Sequence, residues 1–161
     1  MNDSSARIRE LLALYRRTHY DLVIAPGSKE TLRIGALPPP SIAEWIGAAG
    51  PAIYLSACNP RSTPLSDAEN RARMDALREG LRDAGARWLE GEAGIPGKAW
   101  SEASLLVAGL GMAGADRLAR RFEQDAALVV AGNRRVVLRL YRDEWRPLAG
   151  DGDDVEWAEP A

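Results

Sequence analysis

Between positions 59 and 73 the chain carries Asn59, Arg61, Ser62, Asn70 and Arg73, and further on Glu102, Ser104 and Gln124. These side chains suit the binding of a small polar or anionic molecule. A guanidinium fork matches a carboxylate or phosphate, and carboxamides offer donors and acceptors in fixed directions. A partly buried carboxylate orients a ligand or serves as a general base. Glu102 is therefore the candidate catalytic group and the others are candidate ligand-binding residues. Each also has a structural reading. Asn59 before Pro60 suits a turn. Arg61 suits a solvated or carbonyl-bound position, and Glu102 an ion pair with Arg61, Arg73 or Lys98. Gln124 suits the cap of its own helix. Ser104 has no identifiable base to activate it as a nucleophile.

The elements around these residues are legible. Ala52 to Leu55 is an apolar run, and the strand 52–57 it predicts ends in the polar loop Ser56-Ala-Cys-Asn-Pro-Arg-Ser. Ser66 followed by Glu69 is a capping-box pattern, which starts a helix over 66–84. Met74, Leu77, Leu81 and Ala84 form its apolar stripe. Extended backwards, the stripe reaches Asn70 and Arg73, so two polar groups continue the core-facing side. They either bind the carbonyls of the preceding loop or face a ligand. A strand end, a polar loop and a helix N-terminus together form a common place to hold an anion.

Elsewhere the pattern predicts a helix over 4–17, strands over 20–25 and 31–34, and a helix from Ser41 to Ala48. Strands follow over 86–90, 103–108, 126–130 and 136–141, with a helix over 113–124. The glycine-rich segment 91–101 reads as a long loop, a place for a lid in which Lys98 and Trp100 close over a ligand. From 52 to 131 the order is β-α-β-β-α-β. That makes an α/β (α+β) chain with a ferredoxin-like split βαβ core, extended by an N-terminal helix and hairpin and by a further C-terminal strand. In this topology the loop 59–62, the start of helix 66–84, loop 91–101, Glu102 with Ser104, and Gln124 converge on one rim.

Composition narrows the function classes. A chain of 161 residues with 46% hydrophobic and 27% charged side chains has material for one core. Residues 1–150 are expected as a single globular domain, and 151–161 as a frayed acidic tail anchored by Trp157. The tail holds five acids and no base, so with a whole-chain charge of −2 the body stands at +3. That is far from a nucleic-acid-binding balance. No stretch suits a membrane helix. The lone Cys58 permits no internal disulfide and fits a cytoplasmic setting. With His19 the sole histidine, a histidine-rich metal site and a Ser-His-Asp triad are not expected. Gly109-Leu-Gly-Met-Ala-Gly114 has the letters of a dinucleotide fingerprint. It lies at the edge away from the rim, so no cofactor is expected. Any chemistry would be metal-free transfer or hydrolysis. The alternative class is a protein-interaction module whose polar residues form only a structural network.

The chain resembles a bacterial family known as domain of unknown function 3293. The likeness rests on Tyr15-x-x-Thr18-x-Tyr20, Ile34-Gly35, Cys58-Asn59-Pro60-Arg61-Ser62, Glu69-Asn70 with Arg73, Gly85, Trp100-x-Glu102-x-Ser104, and Phe122-x-Gln124-x-Ala126. Glu123 stands where that family tends to have Gly, and Asp125 where it tends to have Asn. The resemblance implies no activity. Most of its motif residues fall on the rim.

Overall fold

The computed structural model describes residues 3–149 and 152–161; Asp151, the expected start of the tail, lies outside them. The helices are α1 (Asp3–Arg17), α2 (Pro40–Ile46), α3 (Asp67–Asp83), α4 (Gly111–Arg121) and α5 (Arg146–Ala149). The strands are β1 (His19–Ala25), β2 (Ser28–Leu32), β3 (Ala52–Leu55), β4 (Arg87–Gly94), β5 (Ser101–Ala108), β6 (Ala126–Val130), β7 (Val137–Leu140) and β8 (Val155–Trp157). They form one mixed α+β architecture around an eight-stranded sheet ordered β2-β1-β4-β5-β3-β6-β7-β8. All neighbours are antiparallel except β7 and β8.

The central strands are apolar on both faces because both faces are covered. Ile53 and Leu55 of β3, with Leu105, Val107 and Val129, meet Met74, Leu77 and Leu81 of α3 and Ala115 of α4. Ala52 and Tyr54, with Leu106, Leu128 and Leu138, turn the other way onto Leu12 of α1 and Ile42 and Ile46 of α2. Alternate residues of one strand thus enter two different cores.

Several boundaries differ from the sequence reading, each for a physical reason. The second strand starts at Ser28 rather than Thr31, because Pro26 and Gly27 close a two-residue turn in which Ala25 faces Ser28 and Gly27 takes φ 74°. Helix α2 begins at Pro40 with no side-chain cap. The expected cap, Ser41, sits inside it and donates to Glu30 at 2.8 Å. Helix α4 stops at Arg121, which leaves Gln124 beyond its end.

The expected loop 91–101 is strand at both ends, paired with β5 through Gly94 opposite Ser101 and with β1 through Gly91 opposite Leu22. Only 95–100 remains as a connection. Glycine is needed at 91 for packing and not for looseness, since a Cβ there would lie 2.3 Å from the Asp21 carbonyl oxygen. Beyond 151, Val155–Trp157 pairs in parallel with β7, and Asp154 holds Arg16 at 2.8 Å. This part of the acidic segment is therefore ordered onto the sheet, where a frayed tail was expected. No helix among the described residues is long and apolar enough to cross a membrane.

Candidate functional site

Strand β3 runs out at Leu55 into a buried segment, Ser56 to Cys58. The Ser56 hydroxyl donates to the Ala103 carbonyl at 2.7 Å and accepts from the Cys58 amide at 2.9 Å, pinning the segment to β5. The chain then turns through Asn59, Arg61 and Ser62, all left-handed at φ 48°, 51° and 59°. Three such residues without glycine need external support.

Asn59 provides much of it. Its Oδ1 accepts from the Leu65 amide at 3.0 Å and from Asn70 Nδ2 at 2.9 Å, while its own amide donates to Asn70 Oδ1 at 3.0 Å. Its Nδ2 donates to Glu102 Oε2 at 2.9 Å. The Arg61 amide donates to the Glu123 carbonyl at 2.7 Å. The Ser62 hydroxyl donates to Asp125 Oδ2 at 2.6 Å. Helix α3 starts just beyond, on the Ser66–Glu69 capping box that its sequence indicates.

The two arginines expected to supply charge are turned to other work. Arg73 donates from Nε to the Ala57 carbonyl and from Nη2 to the Phe122 carbonyl, both at 2.6 Å. Its guanidinium also lies 5.8 Å from the Phe122 ring centre. It ties the loop after β3 to the end of α4. The Arg61 side chain is 62% exposed and meets Glu123 at 3.6 Å. Gln124 donates to the Cys58 carbonyl at 2.9 Å and to the Phe122 carbonyl at 3.1 Å. Arg73→Met is expected to lower stability by about 2 kcal/mol, because two buried carbonyls lose charged donors. Urea unfolding measures this, and a cost below about 0.5 kcal/mol would show the tie to be dispensable.

What the loop and β5 enclose is a cavity of about 180 Å³ lying against α1. Ser62, Asn59, Glu102, Ser104 and Gln124 line its polar end, together with Ser56, Cys58 and Asp125. Tyr15, Tyr20, Tyr54 and Trp100, with Leu11 and Leu14, form the rest. A second groove, of about 390 Å³ and lined by Asn70, Arg71, Asp75 and Arg78, opens on the far side. Cys58, Asn59 and Glu102 border both spaces. Neither Arg61 nor Arg73 lines either one.

Electrostatics single out Glu102. Burial pushes its carboxyl above the usual carboxylate range, against the hydrogen bond from Asn59, which favours the charged form. Burial also raises the Cys58 thiol, so it is no ready thiolate. Asp125 is 4% exposed and already has partners, accepting from Ser62 on one oxygen and from Arg142 Nη1 at 2.8 Å on the other. Ser104 is 2% exposed and its hydroxyl donates to the Glu102 carbonyl oxygen at 3.2 Å. No group of three or more His, Cys, Asp or Glu side chains that could hold a metal comes together among the described residues.

Sequence reasoning missed the tyrosines. Burial pushes the phenols of Tyr15, Tyr20 and Tyr54 well above their ordinary value. Tyr20 donates to the Tyr15 carbonyl at 2.7 Å and Tyr54 to the Asp21 carbonyl at 3.3 Å. Tyr15 reads as one more member of the apolar stripe of α1. Its spacing to Thr18 and Tyr20, among the motifs of the resembled family, was the available signal. Glu123, where that family tends to have Gly, takes φ 55°, the left-handed conformation glycine adopts without strain.

Residues 55–127 match the model of the family described as Protein of unknown function (DUF3293), which supports assigning the chain to that family. The matched segment runs from the end of β3 to β6 and contains every expected site residue. No curated protein and no solved structure matches the chain.

Proposed function

We propose that this chain, as a member of the DUF3293 family, is a small-molecule-binding domain whose site is the cavity between α1 and the Asn59–Ser62 loop, with Glu102 as its ligand-facing group. The observation that carries the reading is Glu102 itself. It is a desolvated carboxylate held by the neutral donor Asn59, beside open space on two sides. An uncompensated buried acid in a cleft works against stability, and such groups concentrate at functional sites. A carboxyl that holds its proton more tightly than usual is also suited to exchanging a proton with whatever binds. Asn59, Ser62, Ser104 and Gln124 border the same space, while Asn70 acts by holding Asn59. The central strands β4-β5-β3-β6, with α3 and α4 on one face, support reading this framework as a ferredoxin-like core with additions at both ends. The single buried cysteine supports a reducing, cytoplasmic setting.

Glu102→Gln tests the reading. The amide oxygen still accepts from Asn59, and the amide carries no charge to desolvate. Because the native carboxyl titrates above its ordinary value of 4.5, the folded state holds its proton longer than the unfolded one. Stability from this group therefore declines as pH rises from about 4.5 through the native value. Tyr54 and Cys58, both raised, stay protonated across that window. The variant is expected to melt no lower than wild type at pH 7, with any advantage vanishing below about pH 4. It should also lose the thermal stabilisation that ligands confer on wild type. Marked destabilisation at pH 7 would make Glu102 a structural partner and sink the proposal.

A second reading, a protein-interaction module, is favoured by one observation: Arg73 and Gln124 direct their donors to backbone carbonyls, as a purely structural network would. It expects Glu102→Gln to weaken the fold and no small molecule to raise the melting temperature.

A further inference from the structure

We propose that the cavity takes a small organic cation, an ammonium or amidinium on a flat apolar body, with the charge against Glu102 and the body between Tyr15, Tyr54 and Trp100. The inference rests on the small-molecule reading above and names its ligand class.

The lining decides the sign of charge. Among the described residues no lysine, arginine or histidine borders the cavity; its ionisable groups are Glu102, Asp125, Cys58 and three phenols. Asp125 is already neutralised by Arg142. Glu102 is in no ion pair among the described residues. An anion entering would meet carboxylate and phenol oxygens with no cation to offset them, and like charges in a dry site repel strongly. A cation would complete a pair that the fold leaves open, through a charge-assisted hydrogen bond. Aromatic walls add to this, since ring faces attract organic cations. Tyr20 and Tyr54 stand edge to face with centres 5.4 Å apart, so these walls pack on one another. Trp100, still 42% exposed, stands where a ligand would cover it.

Size limits the ligand. The cavity, at about 180 Å³, is slightly larger than the engineered apolar cavity of about 150 Å³ known to admit benzene. One ring with a short charged arm fits that space.

Calorimetric titration with benzylamine, benzyl alcohol and benzoate tests this, because the three share a ring and differ in charge. Wild type is expected to bind benzylamine most tightly and benzoate not measurably. Glu102→Gln should weaken benzylamine by about tenfold or more, the usual scale for losing a charge-assisted bond, while benzyl alcohol stays within about twofold. Trp100→Ala should weaken both benzylamine and benzyl alcohol, which places them in this cavity. The cation proposal is overturned if benzoate binds as well as benzylamine, or if Glu102→Gln leaves benzylamine unchanged. In either case the cavity remains a small-molecule site. Failure of all three probes to bind overturns the cation proposal together with the reading beneath it.

Discussion

Asp116→Ala is expected to destabilise the protein by about 3–5 kcal/mol, the cost of leaving a buried charge without its partner. Asp116 on α4 receives Arg139 of β7 in a two-pronged contact, Nε to Oδ1 at 2.8 Å and Nη2 to Oδ2 at 2.7 Å. The Tyr141 hydroxyl donates to the same Oδ1 at 2.8 Å. Arg139 is 7% exposed and reaches Glu156 of β8 at 3.0 Å with its remaining arm. Burial pushes the Asp116 carboxyl up, but the bonds from Arg139 and Tyr141 outweigh it and hold the group below its usual range. The contribution is therefore present at neutral pH and declines as pH falls below the ordinary aspartate value.

Without Asp116, Glu156 is the one acid among the described residues left paired with Arg139, and it sits at the edge of the sheet. The loss should be measured by urea unfolding at pH 7. Replacing both partners, as Asp116→Leu with Arg139→Met, is expected to recover most of it, because the damage lies in the orphaned charge. A loss of less than about 1 kcal/mol for the single variant would mean that water reaches Arg139 freely.

Asn59→Ala is expected to cost about 3 kcal/mol, since several half-buried groups lose their partners at once. The Leu65 amide, the Asn70 carboxamide and the Glu102 carboxylate would each lack a bond they now have. Alanine would also be held at φ 48°, where asparagine is tolerated and alanine is strained. Asn59→Gly removes the same bonds without the strain, so the two variants should differ by about 1 kcal/mol.

Asn59→Asp preserves shape and the acceptor role but sets an oxygen where Nδ2 now donates to Glu102 at 2.9 Å. Two carboxylates that close cannot both ionise. This variant should be about as unstable as Asn59→Ala at pH 7 and regain stability below about pH 4, as the pair takes up protons. A pH-independent loss in Asn59→Asp would show that Glu102 is not its neighbour in solution.

Local signals were legible where a residue's neighbours in sequence are also its neighbours in space. Ser66 and Glu69 are three residues apart, and their capping box forms in the first turn of α3 as written. The runs at 52–55 and 126–130 declare strands covered on both faces. The glycines of 91–94 misled, because their composition resembles a loop. Gly91 lets β1 lie close against β4, a requirement visible only when both strands are in place.

The candidate site divides in the same way. The types, spacing and convergence of Asn59, Asn70, Ser104, Glu102 and Gln124 are readable from the chain, and so is the fact that Arg73 continues the buried side of α3. Whether Arg73 meets a ligand or a carbonyl depended on Phe122, far along the chain, arriving within 2.6 Å. The same arrival holds Arg73 away from the cavity, which Glu102 borders together with aromatic side chains.

By itself the sequence determined most of the strands and helices and which polar residues continue an apolar face, because hydrophobic period and capping are local. Only the tertiary structure decided that Tyr15, Tyr20 and Tyr54 border open space. A cavity is an absence of atoms between α1 and the sheet, and no pattern along one segment encodes how closely two others approach.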